Sequence, residues 1–215
     1  MTRCCVAFPA TGLWLLVTAC ATPPTPLPDA ALLVSAAEEQ VKAAKWDDVL
    51  ATLAPLADDA CPRQLRDRRD IALARAQLGN GEPWDAYLTL RDFSDDYPHS
   101  SRRGEVTAIL WQAGKQLAES DGGFLFLWSD RDAGRTVLEH LITRHPDTRR
   151  LADALRILGD MAFADGDYQL AQARYRTIIL DRPDSDWRFY AQFRFAMSIA
   201  ADLQGPDYDL AQMVL

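Results

Sequence analysis

An all-α fold, a solenoid of antiparallel helical hairpins, is what the sequence predicts, on three observations. From about Ala30 onward Ala, Leu, Gln and Arg dominate, all good helix formers, and no strand-like alternation of apolar and polar residues persists. Pro62, Pro98, Pro146 and Pro183 punctuate this stretch, separated by roughly one short helical hairpin each. Between Leu155 and Pro183, small, large and turn-forming residues follow an order that recurs more weakly elsewhere in the chain.

The chain of 215 residues opens on a segment of another kind. Arg3 supplies a positive charge, and the run from Val6 to Val17 is uncharged and mostly apolar, with Leu13, Trp14, Leu15 and Leu16 inside it. That run is too short to span a bilayer, which takes roughly 20 apolar residues, and residues 1–19 read as a secretory leader. Val17-Thr18-Ala19-Cys20 resembles a bacterial lipobox: a branched aliphatic three residues before the cysteine, then two small residues that suit a signal peptidase. The resemblance implies lipid attachment at Cys20, with two or three acyl chains. Each buried methylene contributes roughly 0.8 kcal/mol, and stable anchoring takes more than one chain. After it, Thr22-Pro23-Pro24-Thr25-Pro26-Leu27-Pro28 favours extended polyproline conformation, so residues 20–34 read as a tether and residues 35–215 as the folded domain.

Within that domain the clearest unit carries Leu158-Gly159, Gly166-Asp167-Tyr168, Ala171, Tyr175, Ile178 and Pro183. This resembles the tetratricopeptide repeat. Gly159 and Ala171 are small where two antiparallel helices cross closely, while Leu158, Tyr175 and Ile178 fill the space between helices. Gly166-Asp167 makes the turn that delivers Tyr168, and Pro183 stops the second helix. Weaker copies flank it: Trp46, Val49, Leu53 and Leu56 up to Cys61-Pro62; Leu73-Ala74, Ala86, Leu90 and Phe93 up to Tyr97-Pro98; and Gly134, Leu138 and Leu141 up to His145-Pro146. A fifth starts at Phe195-Ala196 and reaches Gly205-Pro206-Asp207-Tyr208 and Ala211. Its open end at Leu215 leads to the expectation that the natural sequence continues.

One connection is stretched. Asp121-Gly122-Gly123-Phe124-Leu125-Phe126-Leu127-Trp128 puts five large apolar side chains where a repeat turn takes a few polar ones. Two readings stay open: the segment packs back on the solenoid as local core, or Phe124, Phe126 and Trp128 meet a partner or a membrane.

The formal charge is -8, and the one tight basic cluster, Arg66, Arg68 and Arg69, is interrupted by Asp67 and Asp70. Such a surface disfavours phosphate backbones, so nucleic acid is not an expected partner. Cys4 and Cys5 fall in the leader, leaving Cys61 as the cysteine of the folded part, and no disulfide framework is encoded. His99, His140 and His145 lack the spacing of a metal-binding pair, and Asp92, Asp95 and Asp96 lack the glycine and terminal glutamate of a calcium loop. Neither Ser100-Ser101 nor Gly79-Asn80-Gly81 is framed for nucleophilic catalysis or phosphate binding; the latter reads as a hairpin turn. The expectation is a protein without cofactor or metal, and not an enzyme.

A lipobox joined to helical repeats resembles the BamD (ComL) family of outer-membrane assembly lipoproteins. The likeness is carried by Val17-Thr18-Ala19-Cys20, Phe93-Ser94-Asp95-Asp96-Tyr97-Pro98, Gly166-Asp167-Tyr168 through Ile179, and Gly205-Pro206-Asp207-Tyr208-Asp209. It implies a protein anchored by its lipid to the outer membrane and facing the periplasm. There it would work with a β-barrel insertase to receive or position unfolded outer-membrane proteins. Ala21, where an aspartate would retain the lipoprotein in the inner membrane, agrees with that sorting. The alternative is a lipoprotein adaptor for pilus secretin assembly or for peptidoglycan and cell-division machinery. An enzyme on a repeat scaffold would need a catalytic domain beyond Leu215.

Overall fold

The computed structural model describes residues 29–56, 60–120, 123–124 and 128–203. Outside the described residues lie the leader, Cys20, the proline stretch through Pro28, Phe126, the side chains of Phe124 and Trp128, and the segment from Gly205 to Leu215. Ten helices are described: α1 (Ala30–Lys42), α2 (Trp46–Leu53), α3 (Arg63–Gly79), α4 (Pro83–Leu90), α5 (Phe93–Asp96), α6 (Arg103–Ala118), α7 (Asp130–Arg144), α8 (Leu151–Ala164), α9 (Tyr168–Asp181) and α10 (Arg188–Leu203). They form four antiparallel hairpins, α1/α2, α3/α4–α5, α6/α7 and α8/α9, with α10 packed on α9 as the first helix of a fifth. The chain is an all-α helical-hairpin solenoid. None of the described helices is long and apolar enough to cross a membrane.

Two boundaries differ from the sequence reading. The tether expected at residues 20–34 ends by residue 29, because the Asp29 carboxylate accepts the Ala31 N–H at 3.0 Å and caps α1, whose Val34 is then fully buried. Between α6 and α7 the all-helical pattern is interrupted by an antiparallel ribbon, β1 (Gly123–Phe124) and β2 (Trp128–Ser129), pairing Gly123 with Ser129 and Phe124 with Trp128. Ser129 then caps α7 by accepting the Asp132 N–H at 3.1 Å.

The turns inside hairpins repeat one device. At Ala44, Gly81 and Gly166 the chain takes a left-handed conformation, with φ of 53°, 81° and 81°. The next N–H reaches back to the helix: Lys45 to Gln40 at 3.0 Å, Glu82 to Gln77 at 2.9 Å, Asp167 to Ala162 at 2.9 Å. This is the Schellman closure, and glycine adopts it without steric cost. The third hairpin lacks it. Ser120 occupies the cap of α6 with no left-handed φ, and the ribbon follows there instead.

The turns between hairpins repeat another device. Tyr97, His145 and Arg182 end their helices at φ near -130° and ψ near 60°, each directly before a proline that excludes the helical region for its predecessor. Beyond those prolines Ser100, Thr148 and Ser185 accept the N–H of Arg102, Arg150 and Trp187 at 3.3, 3.3 and 3.2 Å, starting the next first helix. Pro62 departs from this set. In register with Pro98 stands Cys61, 2% exposed, and Pro62 caps the start of α3.

The core follows the same register. On the second helices three ladders are buried: Val49, Ala86, Gly134 and Ala171; Leu53, Leu90, Leu138 and Tyr175; Leu56, Phe93, Leu141 and Ile178. Successive members stand 37, 48 and 37 residues apart, and the ribbon falls in the one expanded interval. Tyr175 occupies a rung that is leucine in the other three hairpins. Gly159 stands against its ring, where an added Cβ would come within 2.8 Å, as Gly114 stands against Leu138 in the third hairpin. The close approach expected at Gly159 is present, against Tyr175 of α9, and tighter ones occur at Gly79, against the Trp46 ring, and at Gly134, packed directly on the backbone of Ala118.

Two stability tests follow from this geometry. Ala44→Gly is expected to stabilise the fold by up to about 1 kcal/mol by relieving the left-handed alanine, and an unchanged or lowered urea midpoint counts against that. Gly134→Ala is expected to cost about 1–3 kcal/mol, more than Gly159→Ala, since main chain cannot move aside as a ring edge can. Equal midpoints for the two variants contradict the assignment.

Candidate functional site

Each first helix touches the next: α1 packs on α3, α3 on α6 and α6 on α8, while the described second helices make no comparable contact with one another. The first helices therefore form the crowded inner layer of the curve, and their outward sides line its concave face. Those sides carry charge, because the helix faces below them already serve the core.

At the amino-terminal end three guanidiniums share two carboxylates. Arg68 of α3 grips Glu38 of α1 through Nε, at 3.0 Å, and through Nη2. Arg75 of α3 donates to Glu105 of α6 at 2.7 Å. Arg102, at the cap of α6, stands between them, its Nη1 at 3.2 Å from Glu38 and 3.8 Å from Glu105. The Arg68 hydrogen bonds hold the Glu38 carboxyl below its ordinary range. These groups rim a cavity of about 250 Å³ whose floor includes Val41, Ile71 and Ala72.

At the other end Asp160 of α8 is a hub. Its carboxylate accepts the hydroxyls of Tyr175 and Tyr190, each at 2.7 Å, and a hydrogen bond from Arg156 at 2.8 Å. Burial, and then the bond to this carboxylate, pushes both phenols above their usual range. Arg194 lies 4.0 Å over the Phe163 ring, Arg156 lies 4.4 Å over Trp187, and the Trp187 indole N–H donates to Asp153 at 2.8 Å. These contacts tie α8 to α10 as the arginine network ties α1, α3 and α6.

The residues singled out from sequence serve the scaffold that carries this face. Leu158, Ala171 and Tyr175 are buried, Gly166 makes the left-handed cap, Tyr168 opens α9 with its ring 5.3 Å from that of Phe163, and Pro183 follows the α9 cap. Cys20, Phe126 and the side chains of Phe124 and Trp128 lie outside the described residues. The inner-face charges were missed because no motif marks them. The basic cluster of α3 is divided by the fold: Arg69 turns inward, 7% exposed, to pair with Asp70 and the Leu56 carbonyl, while Arg68 turns to the concave face. Neighbours on a helix point about 100° apart, so adjacency in sequence did not make them one site.

The histidines are not isolated either. His140 and His145 have ring centroids 6.3 Å apart, and His140 stands edge-on to Tyr87 at 5.4 Å. Burial lowers both pKa values. Arg144 lowers both further, and His145 is also depressed by His140 and Arg103, whereas Asp92 and Asp95 partly oppose the shift at His140.

No protein-family model matches the chain, and no curated protein matches it. The class it defines is that of a helical-hairpin solenoid with a charged inner layer.

The histidine pair generates a pH dependence of known sign. Both groups are depressed on folding, so the unfolded chain binds more protons below about pH 6.5 and stability is lost as pH falls through that range. Replacing both with glutamine is expected to shrink the loss of stability between about pH 7 and pH 5. Parallel stability curves for the two proteins contradict this.

Proposed function

We propose that this protein is a lipid-anchored scaffold of the cell envelope that binds other proteins along the concave face of its first helices, in the assembly of outer-membrane β-barrel proteins. The observation that carries the binding function is the inner layer itself. Its apolar faces are spent on the core behind it, and its open faces present charged and aromatic groups at both ends, Glu38, Arg68 and Arg102 at one and Asp160, Tyr190 and Arg194 at the other. Helical repeats of this curvature hold extended or helical segments of partners. The proposed role is recognition without chemistry. The anchor rests on Val17-Thr18-Ala19-Cys20 and the proline stretch behind it, and the assembly role on the resemblance to the BamD lipoproteins.

The test is crosslinking in intact cells from positions on the concave face, with mass spectrometry of what is captured, beside a Cys20→Ala variant. A β-barrel insertase and outer-membrane proteins are the expected captures, and the variant is expected in the soluble fraction. Capture of a secretin or of wall enzymes replaces the assembly role with the adaptor role. A Cys20→Ala protein that still requires detergent for extraction removes the anchor.

A further inference from the structure

Glu38 and Glu105 are each gripped by a guanidinium of α3, and Arg102 shares both of them. It stands between the two carboxylates as a shared partner, its Nη1 at 3.2 Å from Glu38 and 3.8 Å from Glu105. A planar guanidinium has five N–H donors, and two carboxylates already shared with α3 do not use them all on a side chain that is 32% accessible and lines the cavity. Lys42, at the same rim, is committed to Glu39 at 2.6 Å.

The charge balance of this place is unlike that of the chain. The chain carries -8, yet here three guanidiniums face two carboxylates, a balance shared by the cavity beside Arg63, Arg66 and Arg69 and reversed in the one beside Asp181 and Asp184. Beneath the cationic rim the floor is apolar, with Ile71 and Ala72 each 2% exposed. Room for one medium side chain beside a guanidinium that only shares its carboxylates selects a carboxylate with an apolar neighbour.

We propose that the cavity between α1, α3 and α6 is a carboxylate-recognition subsite, in which Arg102 takes an Asp or Glu side chain of an acidic partner segment while an adjacent apolar side chain enters over Ile71. The incoming carboxylate completes a three-to-three arrangement of the existing network. This rests on the protein-binding reading of the concave face but not on the identity of the partner.

The experiment uses the full chain in detergent micelles and two fluorescein-labelled peptides, one alternating leucine with glutamate and its isostere alternating leucine with glutamine. Fluorescence anisotropy is expected to show the glutamate peptide binding about tenfold or more tightly, with the difference shrinking at high salt. Arg102→Gln is expected to abolish the discrimination. Glu105→Gln, which releases both Arg75 and Arg102, is expected to strengthen binding of the glutamate peptide. A purely structural network would have both substitutions weaken binding alike, and that result overturns the proposal, as does equal affinity for the two peptides. Displacement by inorganic phosphate or anionic vesicles with no binding of the glutamate peptide marks a general anion site and also overturns it. Envelope proteins captured in cells beside a failed peptide discrimination sink this subsite alone. Peptide discrimination with no protein captured in cells sinks the scaffold reading instead.

Discussion

A helix in a two-helix hairpin has more apolar surface than its one partner covers, and this structure answers by sandwiching each inner first helix between two second helices. The α3 helix does so with small residues: Ala72 and Ala76 face the core shared with α1 and α2, while Ile71 and Ala74 face the central core. The α8 helix divides likewise, with Ala154, Leu158 and Met161 toward α6 and α7, and Ala152, Leu155 and Ala162 toward α9. Residues buried on two sides leave little room, so alanine and glycine recur on the first helices and the large side chains come from the ladders of the second. The last described helix is less covered. Phe189 and Phe193 of α10 are 78% and 62% exposed among the described residues.

The same sandwich frees the third side of every first helix. Because the crowded layer lies inside the curve, that side is concave and accessible, and its residues answer to one another instead of to the core. Ion pairs of this exposure are worth little individually, so the network of Arg68, Glu38, Arg102, Glu105 and Arg75 is better understood as orienting groups than as holding hairpins together. Asp160 differs in degree. It is shared by two tyrosines and an arginine from three helices, which makes the α8 to α10 end of the face more rigidly arranged than the arginine end.

Tyr175 links packing to this surface. Three hairpins fill its rung with leucine, which ends in the core. A tyrosine fills the rung and continues to a polar tip, and the tip arrives at Asp160 because Gly159 gives up its side-chain volume. The small residue that sequence reasoning placed at a helix crossing thus admits a ring that reaches across the first helix toward the open face.

Much of the fold was legible because its signals are local. Helix formers, prolines that bar helical geometry from the preceding residue, and glycines at left-handed caps act within a few residues. The three-residue and four-residue spacings of Leu53, Leu90, Leu138 and Tyr175 relative to their neighbours mark one buried face. The ribbon at Gly123 to Ser129 was not legible, since two residues per strand leave no alternation to read. The sequence by itself determined that this chain is a stack of helical hairpins and where each hairpin turns. Only the tertiary structure decided which charges meet, because Glu38 with Arg68, Arg75 with Glu105 and His140 with Tyr87 are brought together across 30 residues or more by stacking, and no local spacing encodes the side of a curved stack on which a residue falls.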